Sequence, residues 1–359
     1  MKILVVGDSY CPWRALGPAI QKLGERHELT CFDVVDEPGW RPATPSEQKV
    51  REYLGSPAQV IEKMDGPDVL VVQGAPVTDA VMDASPALKL VCVARGGPVN
   101  VDIAAATERG ISVTTTPGKN SQAVAELTIA FMVMLGRRIP EVSRFLEGGG
   151  ELARDNYEGA KWMGHDLDGH TLGLVGFGQV GSKVARIAEA MGMSVVVYDP
   201  FIPAERITEA GARAVDLGEL LAVSDYVSIH ARATADNRGL IGRDQLARMK
   251  DGAFLVNTAR DTIVDEDAVY DALRSGKLAG GAFDVVKIPD LSKPPELGRR
   301  HRLLDAPNVV LATHIGGATY ETMAHGGEMA AAEIERLARG EAFKYLANPA
   351  VLERVVNHG

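Results

Sequence analysis

The most constraining feature of the sequence is a repeated alternation between short apolar segments of strand length and segments with helical periodicity. The apolar segments form two series, and the first comprises Ile3–Val6, Leu29–Val34, Val69–Val72, Leu90–Ala94 and Ile111–Thr115. The second series comprises Leu172–Gly176, Ser194–Asp199, Tyr226–His230, Ala253–Asn257, Ala282–Val285 and Val309–Thr313. Apolar strands separated by helices are typical of parallel sheets covered on both faces. The sequence therefore predicts an α/β protein with two doubly wound parallel-sheet domains.

Composition narrows the class of protein further. The chain has 359 residues, 46% hydrophobic and 24% charged, and its formal net charge of −10 argues against nucleic acid or an anionic membrane as the main partner. The longest strongly apolar stretch, Leu127–Leu135, is far shorter than the roughly 20 residues that cross a bilayer. The chain starts with a strand pattern rather than a leader pattern, and Cys11, Cys31 and Cys92 lack metal-binding spacing. We expect a cytoplasmic protein without a metal site, a nucleic-acid partner or a membrane partner.

The strongest chemical signal is a glycine-rich segment between a strand and a helix. It reads Gly176-Phe177-Gly178-Gln179-Val180-Gly181. Gly176 allows a tight turn, Gly178 lets the backbone approach a pyrophosphate, and Gly181 lets helix and strand pack closely, while the helix N-terminus stabilises phosphate charge. The next strand ends in Asp199, whose carboxylate would accept hydrogen bonds from a ribose and repel a 2′-phosphate. This pattern predicts a dinucleotide site that prefers NAD to NADP.

Two segments place polar side chains at the ends of second-series strands, where open α/β sheets bind ligands. Val256–Arg260 ends in an arginine, whose planar guanidinium suits a carboxylate. His314 precedes Gly316 and Gly317 at another strand end, where a nicotinamide should lie. We therefore interpret His314 as catalytic rather than structural.

A loop of the first domain, Arg95–Asp102, also follows a strand and contains Gly96 and Gly97. Successive backbone N–H groups in such a loop can form an anion nest. The Arg95 side chain either reaches a phosphate, hydroxyl or second carboxylate of a substrate, or lies at the rim, and both alternatives remain open.

Together these segments resemble the family of D-isomer-specific 2-hydroxyacid dehydrogenases, which includes phosphoglycerate, glyoxylate/hydroxypyruvate and formate dehydrogenases. The resemblance covers about residues 85–340 well and the N-terminal part loosely. It rests on Arg95–Asp102, Ala123–Glu126, the glycine-rich segment with Asp199, Ser228–His230 with Thr234, Val256–Arg260, Ala282–Val285 and His314–Thr319.

The resemblance implies a flavodoxin-like substrate-binding domain of residues 1–118 plus 320–359, and an inserted Rossmann NAD-binding domain of residues 119–319. It also implies NAD as cofactor and a homodimer. The helical patterns agree with this division. Asn120 or Ser121 can cap a long helix between the two series, and a second helix from about Tyr320 to Ala338 can carry the chain back to the first domain.

The resemblance also assigns roles. His314 would be the general acid/base, Arg260 would hold the substrate carboxylate and polarise its carbonyl, and the backbone of Arg95, Gly96 and Gly97 would also bind the carboxylate. The other residues would bind the cofactor: Gly176, Phe177, Gly178, Gln179, Val180, Gly181, Asp199, His230, Thr234, Thr258, Ala259, Asp284, Gly316 and Gly317.

One element of the family pattern is missing. In the family, a glutamate in the loop after the Ala282–Val285 strand pairs with the catalytic histidine and raises its pKa. Pro289 occupies that position here. Three alternatives remain open: Asp290 substitutes through a one-residue slip, Glu296 or another acid of the loop does so, or His314 works without an acidic partner.

The favoured function is an NAD-dependent oxidoreductase that transfers hydride between the nicotinamide and C2 of a small-molecule 2-hydroxy or 2-keto acid. Arg95, Lys287 and Arg232, which stands where the family prefers proline, favour a sugar acid as substrate. Two alternatives remain open. One is an NAD(H)-sensing module that binds a protein partner, and the other is a formate-type oxidation without acid/base chemistry, since formate dehydrogenases also lack the glutamate.

Overall fold

The computed structural model describes residues 1–24, 26–287 and 301–353. The strands are β1 Lys2–Gly7, β2 Glu28–Asp33, β3 Val69–Val72, β4 Leu90–Val93, β5 Ser112–Thr115, β6 Thr171–Val175, β7 Ser194–Tyr198, β8 Arg213–Ala214, β9 Tyr226–Ile229, β10 Ala253–Asn257, β11 Leu278–Phe283 and β12 Val309–Leu311. The helices are α1 Trp13–Gln21, α2 Pro57–Glu62, α3 Asp79–Asp83, α4 Ile103–Glu108, α5 Ser121–Gly136, α6 Ile139–Glu147, α7 Asn156–Gly159, α8 Gly181–Ala190, α9 Ala204–Glu209, α10 Leu217–Val223, α11 Arg243–Arg248, α12 Glu266–Arg274 and α13 Tyr320–Arg339. None of the described helices is both long and apolar enough to cross a membrane.

The chain forms two compact units. Unit 1 comprises Met1–Lys119 and Ala318–Gly359, and unit 2 comprises Asn120–Gly317. Unit 1 contains a five-stranded sheet in the order β2-β1-β3-β4-β5, with every neighbouring pair parallel. This is the flavodoxin-like order, in which the chain reverses its direction across the sheet between β1 and β3. Both faces of the sheet are covered, since β3 and β4 are buried along their whole length.

Unit 2 contains a seven-stranded sheet in the order β12-β11-β10-β9-β6-β7-β8, again with parallel neighbours. Its strand order reverses between β6 and β9, as in Rossmann domains. Two apolar clusters pack on the sheet, one around the fully buried Leu255 and Ile229 and the other around Leu172 and Met132. The predicted fold class of two doubly wound parallel-sheet domains is therefore confirmed.

Strand β11 begins four residues before the predicted Ala282 because Gly280 and Gly281 lie inside it rather than in a turn. A Cβ on Gly280 would lie 2.6 Å from the side-chain amide nitrogen of Asn308. The glycine therefore permits a close approach of neighbouring backbone. The long helix α5 starts at Ser121, so of the two predicted capping residues Asn120 is the one at the N-cap. The Asn120 side chain, however, makes no capping hydrogen bond.

Candidate active site

The glycine-rich segment connects β6 to α8 at the point where the strand order of unit 2 reverses. Gly176 has φ +102°, and a Cβ on it would lie 2.7 Å from the backbone nitrogen of Ala231. A Cβ on Gly181 would lie 2.3 Å from the carbonyl oxygen of Gly176. A Cβ on Gly178, in contrast, would meet no atom of the described chain within 4 Å. Protein atoms therefore pack tightly against the turn at Gly176 and Gly181, whereas the space next to Gly178 is open.

Asp199 follows β7 and fixes this turn from the neighbouring strand. One carboxylate oxygen accepts the backbone N–H of Phe177 at 2.7 Å, and the other accepts the N–H groups of Phe201 and Ile202 at 2.9 and 3.2 Å. The carboxylate therefore organises the glycine-rich turn in addition to its predicted role toward a ribose.

A cleft of about 370 Å³ lies at the carboxyl ends of the unit 2 strands. It brings together five predicted residues: Val180, His230, Thr258, Ala259 and Arg260. It also contains Arg232, which the sequence analysis connects with the substrate, and four residues that were not predicted: Asn120, Val124, Ala231 and Ala233. Thr234 does not line this cleft; it lies in an exposed turn, where its N–H donates to the side chain of Asn237 at 2.8 Å.

His230 enters the cleft as an uncharged imidazole. Its Nε2 lies 2.9 Å from the hydroxyl oxygen of the buried Ser228. Burial lowers the pKa of His230 from 6.5 to about 3. Desolvation disfavours the charged form, so the ring is neutral at physiological pH and can exchange only neutral hydrogen bonds with a ligand.

Arg260 is positioned by a buried asparagine that sequence reasoning missed. The Asn257 side chain accepts the N–H of Ala259 at 3.0 Å and donates to the carbonyl of Arg260 at 2.9 Å. The Arg260 guanidinium is exposed and donates to the Ala259 carbonyl at 2.7 Å, and no carboxylate of the described residues pairs with it. An asparagine at the last position of a buried strand is the available signal, because its side chain readily closes a local turn.

Thr258 is oriented by the adjacent helix. The Thr128 hydroxyl on α5 donates to the carbonyl of Val124 at 2.8 Å and lies 3.0 Å from the Thr258 hydroxyl. Since a hydroxyl has a single proton, Thr258 is the donor of this second bond. The lone pairs of the Thr258 hydroxyl remain available to a ligand in the cleft.

His314 lies in a turn that Asp284 holds from the next strand. The His314 N–H donates to the Asp284 carbonyl at 2.8 Å, and the Asp284 carboxylate accepts the N–H groups of Ile315 and Gly316 at 2.8 and 2.9 Å. Asp284 is 2% exposed, whereas the His314 side chain is exposed and its backbone has φ +60°. Residues other than glycine seldom adopt this conformation, and functional sites are where such strain concentrates.

The glycines after His314 let two side chains, those of Asp284 and Asn120, lie close to the backbone of the turn. A Cβ on Gly316 would lie 2.7 Å from the Asp284 carboxylate, and a Cβ on Gly317 would lie 2.8 Å from the Asn120 side-chain nitrogen. Among the described residues, His314 has no acidic partner within ion-pair distance. Pro289, Asp290 and Glu296, on which the alternatives for such a partner depend, lie outside the described residues.

In unit 1, the loop after β4 carries the predicted Arg95, Gly96 and Gly97. The Arg95 N–H already donates to the carbonyl of Val93 at 2.7 Å, and its guanidinium forms an ion pair with Glu52. Cβ atoms on Gly96 and Gly97 would meet no described atom within 4 Å. The open part of the predicted anion nest is therefore its glycine segment.

The sequence model described as "D-isomer specific 2-hydroxyacid dehydrogenase, NAD binding domain" matches residues 129–316, which include Arg260, Asp284 and His314. The chain belongs to the D-isomer specific 2-hydroxyacid dehydrogenase family. A glyoxylate reductase from Korarchaeum cryptofilum is 36% identical over 316 residues, which cover 88% of this chain and 90% of that protein. A D-3-phosphoglycerate dehydrogenase from Archaeoglobus fulgidus is 38% identical over 283 residues, or 79% of this chain and 51% of that protein. The chain thus spans about half the length of that dehydrogenase.

Among solved structures, this member of the 2-hydroxyacid dehydrogenase family is similar to the TT0316 protein from Thermus thermophilus. The TM-score is 0.70 at 31% identity, and the match covers 97% of this chain and all of that one. The matched family model is that of an NAD-binding domain, and unit 2 fits NAD. Backbone packs against the turn at Gly176, the space next to Gly178 is open and α8 starts at Gly181, an arrangement that a pyrophosphate would fit.

Proposed function

We propose that this dehydrogenase-family chain is an NAD-dependent enzyme that interconverts a 2-hydroxy acid and the corresponding 2-keto acid. The observation that carries the proposal is the order of residues at three adjacent strand ends of unit 2. Arg260 follows β10, Asp284 follows β11 and His314 follows β12. The Arg260 guanidinium, which can bind a carboxylate, and the His314 imidazole therefore both lie at the carboxyl ends of the strands of the NAD-binding sheet. The buried Asp284 carboxylate lies at the strand end between them and fixes the His314 turn.

NAD, when bound, would supply the hydride acceptor for C2 of the substrate. The chain's residues would supply the rest of the chemistry. The His314 imidazole accepts the proton of the substrate hydroxyl during oxidation and returns it to the carbonyl oxygen during reduction. The Arg260 guanidinium binds the carboxylate through two parallel N–H groups and polarises the carbonyl. Asp284 keeps the His314 turn in its strained conformation.

The cofactor would be held by the glycine-rich turn and the cleft. The N-terminus of α8 and the backbone at Gly178 stabilise the pyrophosphate, and Asp199 accepts hydrogen bonds from the ribose. His230, Thr258 and the Ala259 carbonyl offer neutral polar groups to the nicotinamide half. Asp284, Thr234, Gly316 and Gly317 retain their proposed cofactor roles.

In unit 1, we propose that the Gly96 and Gly97 N–H groups bind the substrate carboxylate, with Arg95 at the rim of this site. The ion pair between Arg95 and Glu52 supports the rim position. The substrate is a small 2-hydroxy or 2-keto acid, and the exposed cation Arg232 supports a polar one such as a sugar acid.

We also propose a cytoplasmic homodimer. Three free cysteines, two of them buried, are consistent with a reducing compartment. Leu152, Tyr157 and Met163 of unit 2 are 76%, 90% and 76% exposed. Large apolar side chains exposed within one short segment are consistent with a protein interface. Light scattering coupled to size-exclusion chromatography tests the dimer.

The acid/base role is tested with His314→Asn. Asparagine tolerates a positive φ, so the turn should persist while the titratable ring is lost. We expect kcat to fall about 100- to 10,000-fold, with NADH affinity and melting temperature unchanged. His325→Asn, which removes an exposed histidine paired with Glu328, is the matched control and should retain activity. Full activity of His314→Asn would refute the role.

A further inference from the structure

Lys119 lies in the part of unit 1 where doubly wound sheets bind ligands. The carboxyl ends of the strands are the usual ligand position in such a sheet. Lys119 follows the edge strand β5, and its ammonium group lies close enough to Asp8, beside the reversal between β1 and β3, for the two charges to interact. Asp8 directly follows β1, Arg95 follows β4 and Lys119 follows β5. A Cβ placed on Gly326 would lie 3.4 Å from the Lys119 Nζ and 3.6 Å from the Ala94 Cβ. The glycine therefore leaves room for the ammonium group beside the end of β4.

The ammonium group of Lys119 is buried without a partner. Its Nζ atom is withdrawn from solvent and makes no hydrogen bond within the described residues. Burial, together with the positive charge of Arg95, lowers the pKa of Lys119, although Cys11 and Asp8 oppose this shift. A buried cation without a hydrogen-bond partner is costly and rare in proteins. Such a group requires an explanation in terms of a partner that the chain itself does not supply.

The neighbouring groups are not that partner. Asp8 is 2% exposed, and its two carboxylate oxygens already accept the N–H groups of Tyr10, Cys11 and Gly74 at 2.8–2.9 Å. Burial raises the pKa of the Cys11 thiol to about 12, so it carries no negative charge at neutral pH. The guanidinium of Arg95 repels the ammonium group and has its own partner in Glu52. An anion that pairs with the Lys119 ammonium group would therefore come from a ligand.

We propose that Lys119 binds a second anionic group, a carboxylate or a phosphate, at the end of the substrate remote from C1. This inference rests on the proposed function and specifies its substrate class: a 2-hydroxy or 2-keto acid with two acidic groups. The C1 carboxylate already has its proposed binding groups in unit 1, the N–H groups of Gly96 and Gly97. The long, flexible lysine side chain suits a ligand group that arrives from solvent, and its compact ammonium suits either anion.

The kinetic test compares three 2-keto acids with NADH: glyoxylate with one carboxylate, oxaloacetate with two, and 3-phosphohydroxypyruvate with a carboxylate and a phosphate. We expect the wild-type enzyme to prefer oxaloacetate or 3-phosphohydroxypyruvate, and the preferred one identifies the second anion. Lys119→Met should lower kcat/KM for that acid about 10- to 100-fold, mainly through KM, and leave glyoxylate turnover unchanged. Lys119→Arg should restore part of the preference. The matched control is Lys22→Met, which removes an exposed lysine of the same unit.

An equal loss with glyoxylate, or no loss with the preferred acid, would overturn the inference. Absence of turnover with every acid would instead contradict the proposed function, and a binding measurement then decides the inference separately. We expect malonate or inorganic phosphate to raise the melting temperature of the wild-type protein and not of Lys119→Met. Without these ions the variant should melt at a higher temperature, because it no longer buries an unpartnered charge. A lower melting temperature, or an unchanged response to malonate and phosphate, would overturn the inference.

Discussion

The backbone N–H of His314 donates to the carbonyl oxygen of Asp284 at 2.8 Å, so the only titratable side chain at the end of β12 within the described residues is fixed from the end of β11. The Asp284 carboxylate then accepts the N–H groups of the next two residues. Three hydrogen bonds thus hold a turn whose first residue has φ +60°. The position of the imidazole depends on a residue from a different strand.

Asp284→Asn tests this dependence. An amide offers only one acceptor oxygen, so one of the two N–H groups of the turn loses its partner. Removing one partner of a buried hydrogen bond costs about 1–3 kcal/mol, and we expect the free energy of unfolding to fall by that amount. We also expect kcat to fall more than NADH affinity, because the His314 ring loses its position. Denaturant unfolding and steady-state kinetics measure these effects.

The control for this substitution is Asp267→Asn, which removes a surface ion pair between Asp267 and Arg302. An exposed pair of this kind contributes about 0–1 kcal/mol. If both variants lost the same small amount of stability and Asp284→Asn kept full activity, Asp284 would not hold the catalytic turn.

The glycine-rich turn gives a matched pair of alanine substitutions. Gly176→Ala should lower the melting temperature, because the residue has φ +102° and the added Cβ would lie 2.7 Å from backbone. Gly178→Ala should leave the melting temperature unchanged and weaken NADH binding, because its Cβ would enter only the open space. Differential scanning calorimetry and NADH fluorescence titration measure the two effects. Normal NADH affinity in Gly178→Ala would place the pyrophosphate elsewhere.

Asp199 is expected to select the dinucleotide. The wild-type protein should bind NADH more tightly than NADPH, because the carboxylate repels a 2′-phosphate. Asp199→Ser should reduce the preference for NADH, measured as the ratio of the NADPH to the NADH dissociation constant. The substitution should also lower the free energy of unfolding, because the N–H of Phe177 loses its acceptor. Equilibrium dialysis with both dinucleotides gives the ratio. An unchanged ratio in the variant would show that another residue discriminates between them.

His230 makes stability depend on pH. Its pKa is lowered from 6.5 to about 3 in the folded protein, so below pH 6.5 the unfolded state binds a proton that the folded state does not. The free energy of unfolding should therefore fall on acidification by up to about 1.4 kcal/mol per pH unit between these values. His230→Gln should show a shallower acid dependence in urea unfolding between pH 4 and 7. Parallel pH profiles for the two proteins would contradict the lowered pKa of His230.

The fold was predictable because its signal is the periodicity of apolar residues. Val69–Val72 and Ala253–Asn257 form strands with the predicted bounds, since each is bounded by polar or helical residues. The predicted start of β11 was wrong because Gly280 and Gly281 resemble a turn, and their close packing against Asn308 depends on a residue distant in sequence. The local sequence pattern around Gly280 does not indicate that a residue distant in sequence packs against it.

The candidate site residues at strand ends could be proposed from the sequence, but the residues that position them were harder to find. Arg260 and His314 stand out because polar residues follow apolar strands. Asn257 acts through hydrogen bonds within its own turn, and Asp284 acts through hydrogen bonds to the His314 turn. Lys119 gave no signal at all, because a lysine before a long helix is usually a solvated charge. Its burial follows from how the strands and α13 of unit 1 pack around it, which the sequence does not reveal.

The most direct test of the dehydrogenase function is a measurement of NADH absorbance across a range of pH. The purified protein is mixed with NADH and each of a panel of 2-keto acids, and separately with NAD and each of a panel of 2-hydroxy acids. We expect turnover with at least one acid, and a pH dependence of kcat/KM that is absent from His314→Asn. NADH binding without turnover of any acid would contradict the dehydrogenase function and favour an NADH-binding module.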